Sequence, residues 1–390
     1  MENSDIMISD MTKQEDISEE MLETAYDKLQ ILESENKPFT RLERLRAMNT
    51  PLLAWYKLHA RVLPWRENQE PYQVWISEIM LQQTRVEAVK PYFVRFMEAF
   101  PDVKALAKAQ EEQLLKMWEG LGYYNRARNL QKAAKMMVEF YDGCLPASYE
   151  ELLKLPGIGS YTAGAIASIA YGIAVPSVDG NVLRVISRIL ASKEDILKQS
   201  VKKQIEADLK ETMPKDHASI FNQGLFEVGA MVCIPNGQPK CKECPLFSLC
   251  LGRKKGLLDL IPYRAPKKPR RIEEHTILIL ESGNQVAIEK RPDNGLLASL
   301  YQFPNLDGHL SQDEVLAFLK SYGALVKQIE PIEKAKHIFS HVEWHMNGYL
   351  VSLERTLPNM YLFVEQQEIR TKYPLPNAFS TYIKLINGES

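Results

Sequence analysis

The stretch "LPGIGSYTAGAIA" (155–167) decides the fold of the N-terminal half of the chain. Pro156 and Gly157–Ile158–Gly159 predict a tight turn, and the small residues after them predict a closely packed helix. Glycines let the backbone approach a ligand closely, and a helix start offers free N–H groups that suit a phosphate. A helix is also predicted before the turn, in "SYEELLKL". Taken alone, this pattern is more often a plain helix–turn–helix.

Four clustered cysteines argue against that plain interpretation. They occur in the order Cys233, seven residues, Cys241, two residues, Cys244, five residues, Cys250. Four thiolates this close can hold a [4Fe–4S] cluster or a zinc ion. Zinc sites usually pair two CxxC units, and only one pair here has that spacing, which favours iron–sulfur. The fifth cysteine, Cys144, is predicted to be a small buried residue.

Two carboxylates are predicted to lie in different environments. Glu78 falls in the helical, largely apolar "WISEIMLQQT" (75–84), where apolar neighbours should raise its pKa. Asp179, in "VPSVDGNVLRV", marks a helix start, so the helix dipole and backbone donors should hold it ionised. A protonated Glu and an ionised Asp are the parts needed to break a glycosidic bond. On these two residues alone, the favoured interpretation is structural, with Asp179 as only an N-cap and Glu78 as the partner of a core arginine.

The pattern along the chain predicts four segments. Residues 1–45 form a polar, acidic extension, and residues 46–252 are helical throughout, with helix-start signals at Thr50, Ser148 and Asp179. Residues 253–273 form a basic linker with three prolines. Residues 274–390 form an α+β domain.

Net charge is distributed unevenly. Residues 1–40 hold eleven acidic residues and three lysines, or −8, whereas the other 350 residues hold 45 basic and 39 acidic residues, or +6. A mildly basic body is compatible with a polyanionic partner. The longest uncharged stretch, 161–178, is short for a membrane span and predicts a buried helix. No secretory signal segment opens the sequence, so we expect a cytoplasmic protein that does not bind membranes.

In the C-terminal domain, "HTILILESGNQVAIEKR" predicts a hairpin around Gly283–Asn284. "HIFSHVEWHMNGYLVSLE" predicts a second hairpin around Asn347–Gly348, and "SQDEVLAFLKSYG" a helix between them. If "HIFSHVEWH" were one strand, its three histidines and Glu343 would share a face. That face is either a metal site or, as we prefer, a polar strand surface.

Several motifs together resemble one family. They are "LPWR" (63–66), "VWISEIMLQQTRVEAV" (74–89), "GLGYYNRARNL" (120–130), "LPGIGSYTAGAI" (155–166), "VDGNVLRV" (178–185), the four cysteines and "FSH" (339–341). This set resembles the helix-hairpin-helix DNA glycosylases with an iron–sulfur cluster, and within them the adenine DNA glycosylases of the MutY type. The resemblance covers residues 50–385. It implies two helical subdomains with a [4Fe–4S] loop, followed by a Nudix-like domain.

The resemblance also implies roles for individual residues. The implied activity is removal of adenine mispaired with 8-oxoguanine or guanine in double-stranded DNA, by a monomer. Glu78 would be the acid, Asp179 would stabilise the cationic sugar, and Asn181 would orient the catalytic acid. The implied contacts to substrate and cofactor are Arg66 in the adenine pocket, Gln83 and Tyr123 in the duplex, Gly157 and Gly159 on DNA phosphate, Phe339, Ser340 and His341 on 8-oxoguanine, and Cys233, Cys241, Cys244 and Cys250 on the cluster.

Tyr161 distinguishes this chain from endonuclease III-type relatives, which place a lysine there that attacks the sugar. A phenol cannot form an imine, so the resemblance implies a monofunctional glycosylase rather than a glycosylase/AP lyase. The magnesium-binding acidic helix of Nudix hydrolases is missing, which implies lesion recognition rather than hydrolysis. This chain also has seven residues between its first two cysteines, where the family usually has six, and only Lys240 among them is basic. A non-catalytic lesion-binding protein and a nucleotide hydrolase remain as alternatives.

Overall fold

The structure is a computed structural model that describes residues 39–266 and 269–386. Most of the predicted N-terminal extension lies outside the described residues. The chain forms two compact units that do not follow chain order. The first unit combines the described residues up to Glu78 with residues 145–265, and the second combines residues 79–144 with the described residues from 266 onward. The boundaries of the four predicted segments stay a prediction.

The secondary structure is helical up to the linker and mixed after it. The helices are α1 (Arg41–Arg46), α2 (Asn49–His59), α3 (Pro71–Leu81), α4 (Val86–Ala99), α5 (Val103–Lys108), α6 (Glu111–Met117), α7 (Asn125–Phe140), α8 (Tyr149–Leu152), α9 (Ser160–Tyr171), α10 (Gly180–Leu190), α11 (Gln199–Thr212), α12 (Ala218–Glu227), α13 (Leu251–Lys254), α14 (Gln312–Ser321), α15 (Gln366–Thr371) and α16 (Ser380–Ile386). The strands are β1 (Arg271–Ser282), β2 (Gln285–Lys290), β3 (Tyr301–Gln302), β4 (Asn305–Asp307), β5 (Val326–Ile338), β6 (Val342–Leu353) and β7 (Leu362–Glu365).

Two of the three predicted helix starts are confirmed. The Ser148 side chain accepts a hydrogen bond from the Glu151 amide at the start of α8, and Asp179 caps α10 in the same way. The start predicted at Thr50 is wrong, because α2 already begins at Asn49 and no side chain caps it. A capping residue type in the sequence therefore marks a helix start only where its side-chain oxygen reaches a free backbone amide of the first turn.

Helix α9 lies in the interior of the first unit, and its small residues are the reason. All residues from Thr162 to Ile169 are buried. A Cβ on Gly164 would lie 2.5 Å from the Pro176 carbonyl oxygen, closer than any side chain tolerates. The extended segment that leads to Asp179 therefore packs directly against the α9 backbone.

The second unit contains a mixed sheet that is buried on both faces. Its strand order is β3-β2-β1-β6-β5, with β4 pairing β1 and β7 pairing β2; β1 and β6 are parallel, and the other pairs are antiparallel. Along β1, Ile277 and Ile279 enter one hydrophobic cluster while Leu278 and Leu280 enter another. Two-sided burial explains why "ILIL" does not alternate with polar residues.

The hairpin predicted around Gly283–Asn284 is confirmed by the antiparallel pairing of β1 with β2. The one predicted around Asn347–Gly348 is wrong, since β6 runs through both residues and the turn falls at 339–341. Gly348 is pinned inside the sheet, because a Cβ there would lie 2.9 Å from the Ile277 carbonyl oxygen. The histidines considered above therefore do not share one strand, and Glu343 pairs with Lys336 and His345.

No helix within the described residues combines the length and apolar character needed to cross a membrane.

Candidate active site

Glu78 lies in the middle of α3 with only 6% of its surface exposed. Burial raises the pKa of its carboxyl group to about 7, and the charge of Asp179 adds to that rise. The hydroxyl of Tyr161 donates a 2.5 Å hydrogen bond to Glu78 Oε2, which acts in the opposite direction because it stabilises the carboxylate. The predicted upward shift in pKa is confirmed. A carboxyl group with this pKa can carry and release a proton at neutral pH.

Asp179 is the N-cap of α10, as predicted. Its Oδ1 accepts hydrogen bonds from the amides of Asn181 and Val182, each 2.8 Å long, and its Oδ2 accepts a third, also 2.8 Å, from Asn181 Nδ2. Burial nevertheless raises its pKa, and the three donors, which lower it, only partly offset this effect. The net direction is opposite to the one that a helix start alone implies, because desolvation of the carboxylate is the larger effect.

Asn181 is held by an arginine that the sequence analysis did not single out. Arg184 Nη2 donates to Asn181 Oδ1 over 2.9 Å and to the Gly229 carbonyl over 2.7 Å, while its Nε donates to the Cys233 carbonyl over 2.7 Å. A continuous chain of hydrogen bonds thus joins Asp179 to the backbone of the first cysteine. The signal in the sequence was the spacing of one helical turn between Asn181 and Arg184.

Arg66 is anchored by a second residue missed at the sequence level, Glu227. Arg66 Nη2 lies 2.8 Å from Glu227 Oε1, and Arg61 binds both oxygens of the same carboxylate at 2.7 and 2.9 Å. Glu227 is buried, which disfavours its charged form, yet the two arginines hold its pKa below the ordinary value. No local pattern indicates this contact, since Glu227 lies 161 residues from Arg66.

The predicted glycine turn is present between α8 and α9. Gly157 has a φ of +78°, which few other residues adopt, and Gly159 is the N-cap of α9. Both are exposed, while Leu155 and Ile158 are buried beneath them. The turn thus presents the first amides of α9 at the surface, where an anion could reach them.

The four clustered cysteines are free thiols, and each of the last three has its pKa raised by burial and by Cys233. Arg188 Nη1 donates to Cys233 Sγ over 3.3 Å. Among the described residues, no group of three or more His, Cys, Asp or Glu side chains is already arranged to hold a metal ion. Four thiols within residues 233–250 are donors of the type that binds an iron–sulfur cluster or a zinc ion. A bound metal would deprotonate them. Cys144 is exposed, so its predicted burial is wrong.

The remaining five predicted residues lie in the second unit and line one groove of about 910 Å³. Gln83 and Tyr123 have positive φ values, +59° and +49°, and both side chains are exposed. The Tyr123 hydroxyl lies 3.1 Å from Ser340 Oγ. The structure therefore brings together two predicted groups of residues that are more than 200 positions apart.

Residues 339–341 form the turn between β5 and β6. The Phe339 amide donates to the Val342 carbonyl over 2.8 Å, which closes the turn. The Phe339 ring packs edge-on against His337 and Trp344, with centroids 4.6 and 5.0 Å apart. Packing of the first residue of the turn leaves Ser340 and His341 beside the groove.

Comparisons with known proteins give two family matches along the chain. The sequence matches the family model described as "HhH-GPD superfamily base excision DNA repair protein" over residues 76–215, and the NUDIX domain over residues 275–385. It is 36% identical over 308 residues to an adenine DNA glycosylase from Buchnera aphidicola subsp. Baizongia pistaciae, covering 78% of this chain and 86% of that protein. It is 32% identical over 398 residues to the adenine DNA glycosylase of Homo sapiens, covering 85% of this chain and 73% of that protein.

Solved structures of DNA glycosylases are also similar to part of the chain. A thermostable thymine-DNA glycosylase matches with 27% identity and a TM-score of 0.49, over 54% of this chain and 97% of that chain. Endonuclease III in a non-covalent DNA complex matches with 28% identity and a TM-score of 0.46, over 53% of this chain and 94% of that chain.

Proposed function

The chain belongs to the adenine DNA glycosylases, hydrolytic DNA N-glycosylases of base excision repair, and from this premise we propose that it removes adenine paired with 8-oxoguanine or guanine in duplex DNA. The observation that carries the proposal is Glu78. It is buried, bonded to the Tyr161 hydroxyl, has a pKa of about 7 and lies within electrostatic reach of Asp179. A proton donor and a second carboxylate are the groups that glycosidic cleavage requires.

In the proposed reaction, the adenine nucleotide leaves the base stack before chemistry begins. Glu78 donates its proton to a ring nitrogen of adenine while the bond from the base to C1′ breaks, so the bonding electrons leave with a neutral base. The carboxylate of Asp179, which the Asn181 side chain binds in place of the acid Glu78 that it was predicted to orient, stabilises the positive charge that develops on the sugar. Water adds to C1′, and the proton it releases returns to Glu78.

The strand stays intact in this scheme because the chain offers no amine at the position of Tyr161. The Tyr161 hydroxyl instead donates to Glu78, and its pKa is raised well above the ordinary value, so it stays protonated. Arg66, fixed by Glu227, would line the adenine pocket. The product is an abasic site that breaks only after alkali.

The groove of the second unit is the proposed site for 8-oxoguanine. Gln83 and Tyr123 would enter the duplex, while Phe339, Ser340 and His341 would contact the lesion. Nucleotide hydrolysis is not favoured, because α14 carries only Asp313 and Glu314 as acidic residues and Glu314 is engaged at the helix start. Its Glu314 accepts hydrogen bonds from the amide and hydroxyl of Ser311 in a capping box.

Cys233, Cys241, Cys244 and Cys250 are the proposed ligands of a [4Fe–4S] cluster. When bound, such a cluster would cross-link the loop between α12 and α13 and add negative charge next to Arg188. Gly157 and Gly159 would bind a DNA phosphate at the start of α9. We further propose that the protein acts as a monomer, on nucleoid DNA in the cytoplasm if it is bacterial.

The deciding experiment is single-turnover release of adenine placed opposite 8-oxoguanine, guanine or cytosine. The proposal predicts fastest release opposite 8-oxoguanine, with strand breaks appearing only after alkali. Strand cleavage without alkali, or an adduct trapped by borohydride, would indicate a bifunctional enzyme. Binding without adenine release would indicate a lesion-binding protein, and Mg²⁺-dependent hydrolysis of 8-oxo-dGTP by the full chain would indicate a nucleotide hydrolase.

A further inference from the structure

Gln83 and Tyr123 share an unusual backbone conformation. Both are non-glycine residues in the left-handed region, with φ values of +59° and +49°. Such residues cost roughly 1–2 kcal/mol each relative to ordinary conformations, so the surrounding structure has to hold them there. Gln83 follows the C-terminal end of α3, and Tyr123 lies in the segment that precedes α7.

One buried guanidinium contacts both segments. Arg126 Nη1 donates to the carbonyls of Ile79, Met80 and Gln82, over 2.7, 3.0 and 2.6 Å. Arg126 Nη2 donates to the carbonyls of Leu121 and Gly122 over 3.0 and 3.1 Å, and also lies 3.4 Å from Thr84 Oγ1. The segment before Gln83 is thus held mainly by one nitrogen, and the segment before Tyr123 by the other.

Only arginine can make this arrangement. Its planar fork presents two terminal nitrogens in a fixed relation, whereas a lysine ammonium is a single point charge. The carbonyls at the end of α3 have no partner within the helix, and a cation is favoured at that end of the helix dipole. The guanidinium also lies near the rings of Trp118 and Tyr123, at 5.3 and 5.6 Å from their centroids.

The charge of Arg126 is compensated mainly by backbone oxygens. Within the described part of the chain, no ion pair joins Arg126 to a carboxylate, and burial lowers its pKa to about 10. Burying a cation costs desolvation free energy, which is recovered only when well-placed hydrogen bonds satisfy its donors. Arg126 therefore serves to fix the positions of both segments.

We infer that Arg126 is a positioning residue that locks Gln83 and Tyr123 into one rigid wedge, and that this wedge drives adenine out of the base stack. The inference rests on the proposed function, because the wedge matters only if adenine is extruded. Arg126 does not touch the reacting atoms in this account. Its loss should raise the cost of unstacking and leave the chemical step intact.

The test compares wild type with Arg126→Lys and with Arg95→Lys, a matched change at an exposed arginine of the same unit. Single-turnover excision is measured on a normal A:8-oxoguanine duplex and on one whose flanking pairs are mismatched, so that adenine is already unstacked. We expect Arg126→Lys to lose about 10²-fold on the normal duplex and to regain nearly wild-type rate on the mismatched one. Arg95→Lys should match wild type on both.

A fluorescence readout separates unstacking from chemistry. In a Glu78→Gln background, 2-aminopurine placed opposite 8-oxoguanine should brighten on binding, and Arg126→Lys should suppress that rise. If Arg126→Lys does not fold, Thr84→Val removes a single contact to Nη2 and should lose about fivefold, again restored by mismatched flanks. Equal rates for variant and wild type, or a loss that persists on the mismatched duplex, would overturn the inference. A wild type that releases no adenine from either duplex would instead refute the proposed function.

Discussion

The Tyr161 hydroxyl donates a 2.5 Å hydrogen bond to Oε2 of Glu78, although the two residues are 83 positions apart. The bond joins the second residue of α9 to the carboxyl group with the pKa of about 7. The bond fixes the orientation of the carboxyl group, while burial favours its protonated form. Two of the predictions below depend on this relationship.

Replacing Glu78 with glutamine should abolish adenine release while DNA binding persists. Glutamine keeps the size and a hydrogen-bond acceptor for Tyr161 but cannot transfer a proton. We expect a loss of about 10²–10⁴-fold in the single-turnover rate. Affinity for an A:8-oxoguanine duplex serves as the control, and near-normal excision by this variant would refute the role of Glu78 as acid.

The pH dependence of adenine release should report the pKa of Glu78. Protonated Glu78 and ionised Asp179 are the active forms, so the rate should fall as pH rises through the Glu78 pKa of about 7, and protonation of Asp179 should lower it at acid pH. Tyr161→Phe removes a hydrogen bond that favours the carboxylate, so the pKa should rise and the alkaline fall should move to higher pH. Single-turnover rates between pH 5 and pH 9 would measure this. A fall that moves to lower pH in Tyr161→Phe would contradict the account.

Arg184→Lys should slow adenine release and also reduce the iron bound by the cysteine loop. A lysine cannot bind the Asn181 side chain and the carbonyls of Gly229 and Cys233 at once, as Arg184 does. We expect roughly tenfold slower adenine release, from the loss of one or more hydrogen bonds to a charged group. Iron content per protein should fall in the same preparation. Arg264→Lys, at an exposed arginine beside the same loop, is the control; unchanged iron and rate in Arg184→Lys would argue against the link.

Arg270→Gln should reduce the preference for 8-oxoguanine over guanine. Arg270 Nε donates to the Phe339 carbonyl over 3.1 Å, and the next residue, Arg271, donates its amide to the His341 carbonyl over 3.2 Å. Arg270 and Arg271 therefore hold the turn at residues 339–341, the proposed 8-oxoguanine contact. Loss of the side-chain bond should lower the ratio of the two rates by about fivefold. Arg355→Gln, at another exposed arginine of this unit, should leave the ratio unchanged; an equal drop there would point to a general charge effect.

Local features of the structure were predictable because their causes are local. Asp179 caps a helix because its carboxylate reaches amides two and three residues ahead, and Gly157 turns because it lacks a Cβ. The wrong predictions also came from local signals, which tertiary packing overrode. Asn347–Gly348 reads as a turn, yet Gly348 is enclosed by Ile277 and Ile332 inside the sheet.

The amino-acid sequence by itself determined the family, the helix caps, the glycine turn, the four thiols and the upward pKa shift of Glu78, since each depends on residue type and short spacing. Tertiary structure alone decided which distant groups share a hydrogen bond. It placed Glu227 on Arg66, Arg184 between Asn181 and Cys233, and Arg126 among the carbonyls of two separate segments. It also reversed the expected direction for the pKa of Asp179, because desolvation depends on everything that surrounds a carboxylate and not on its neighbours in the chain.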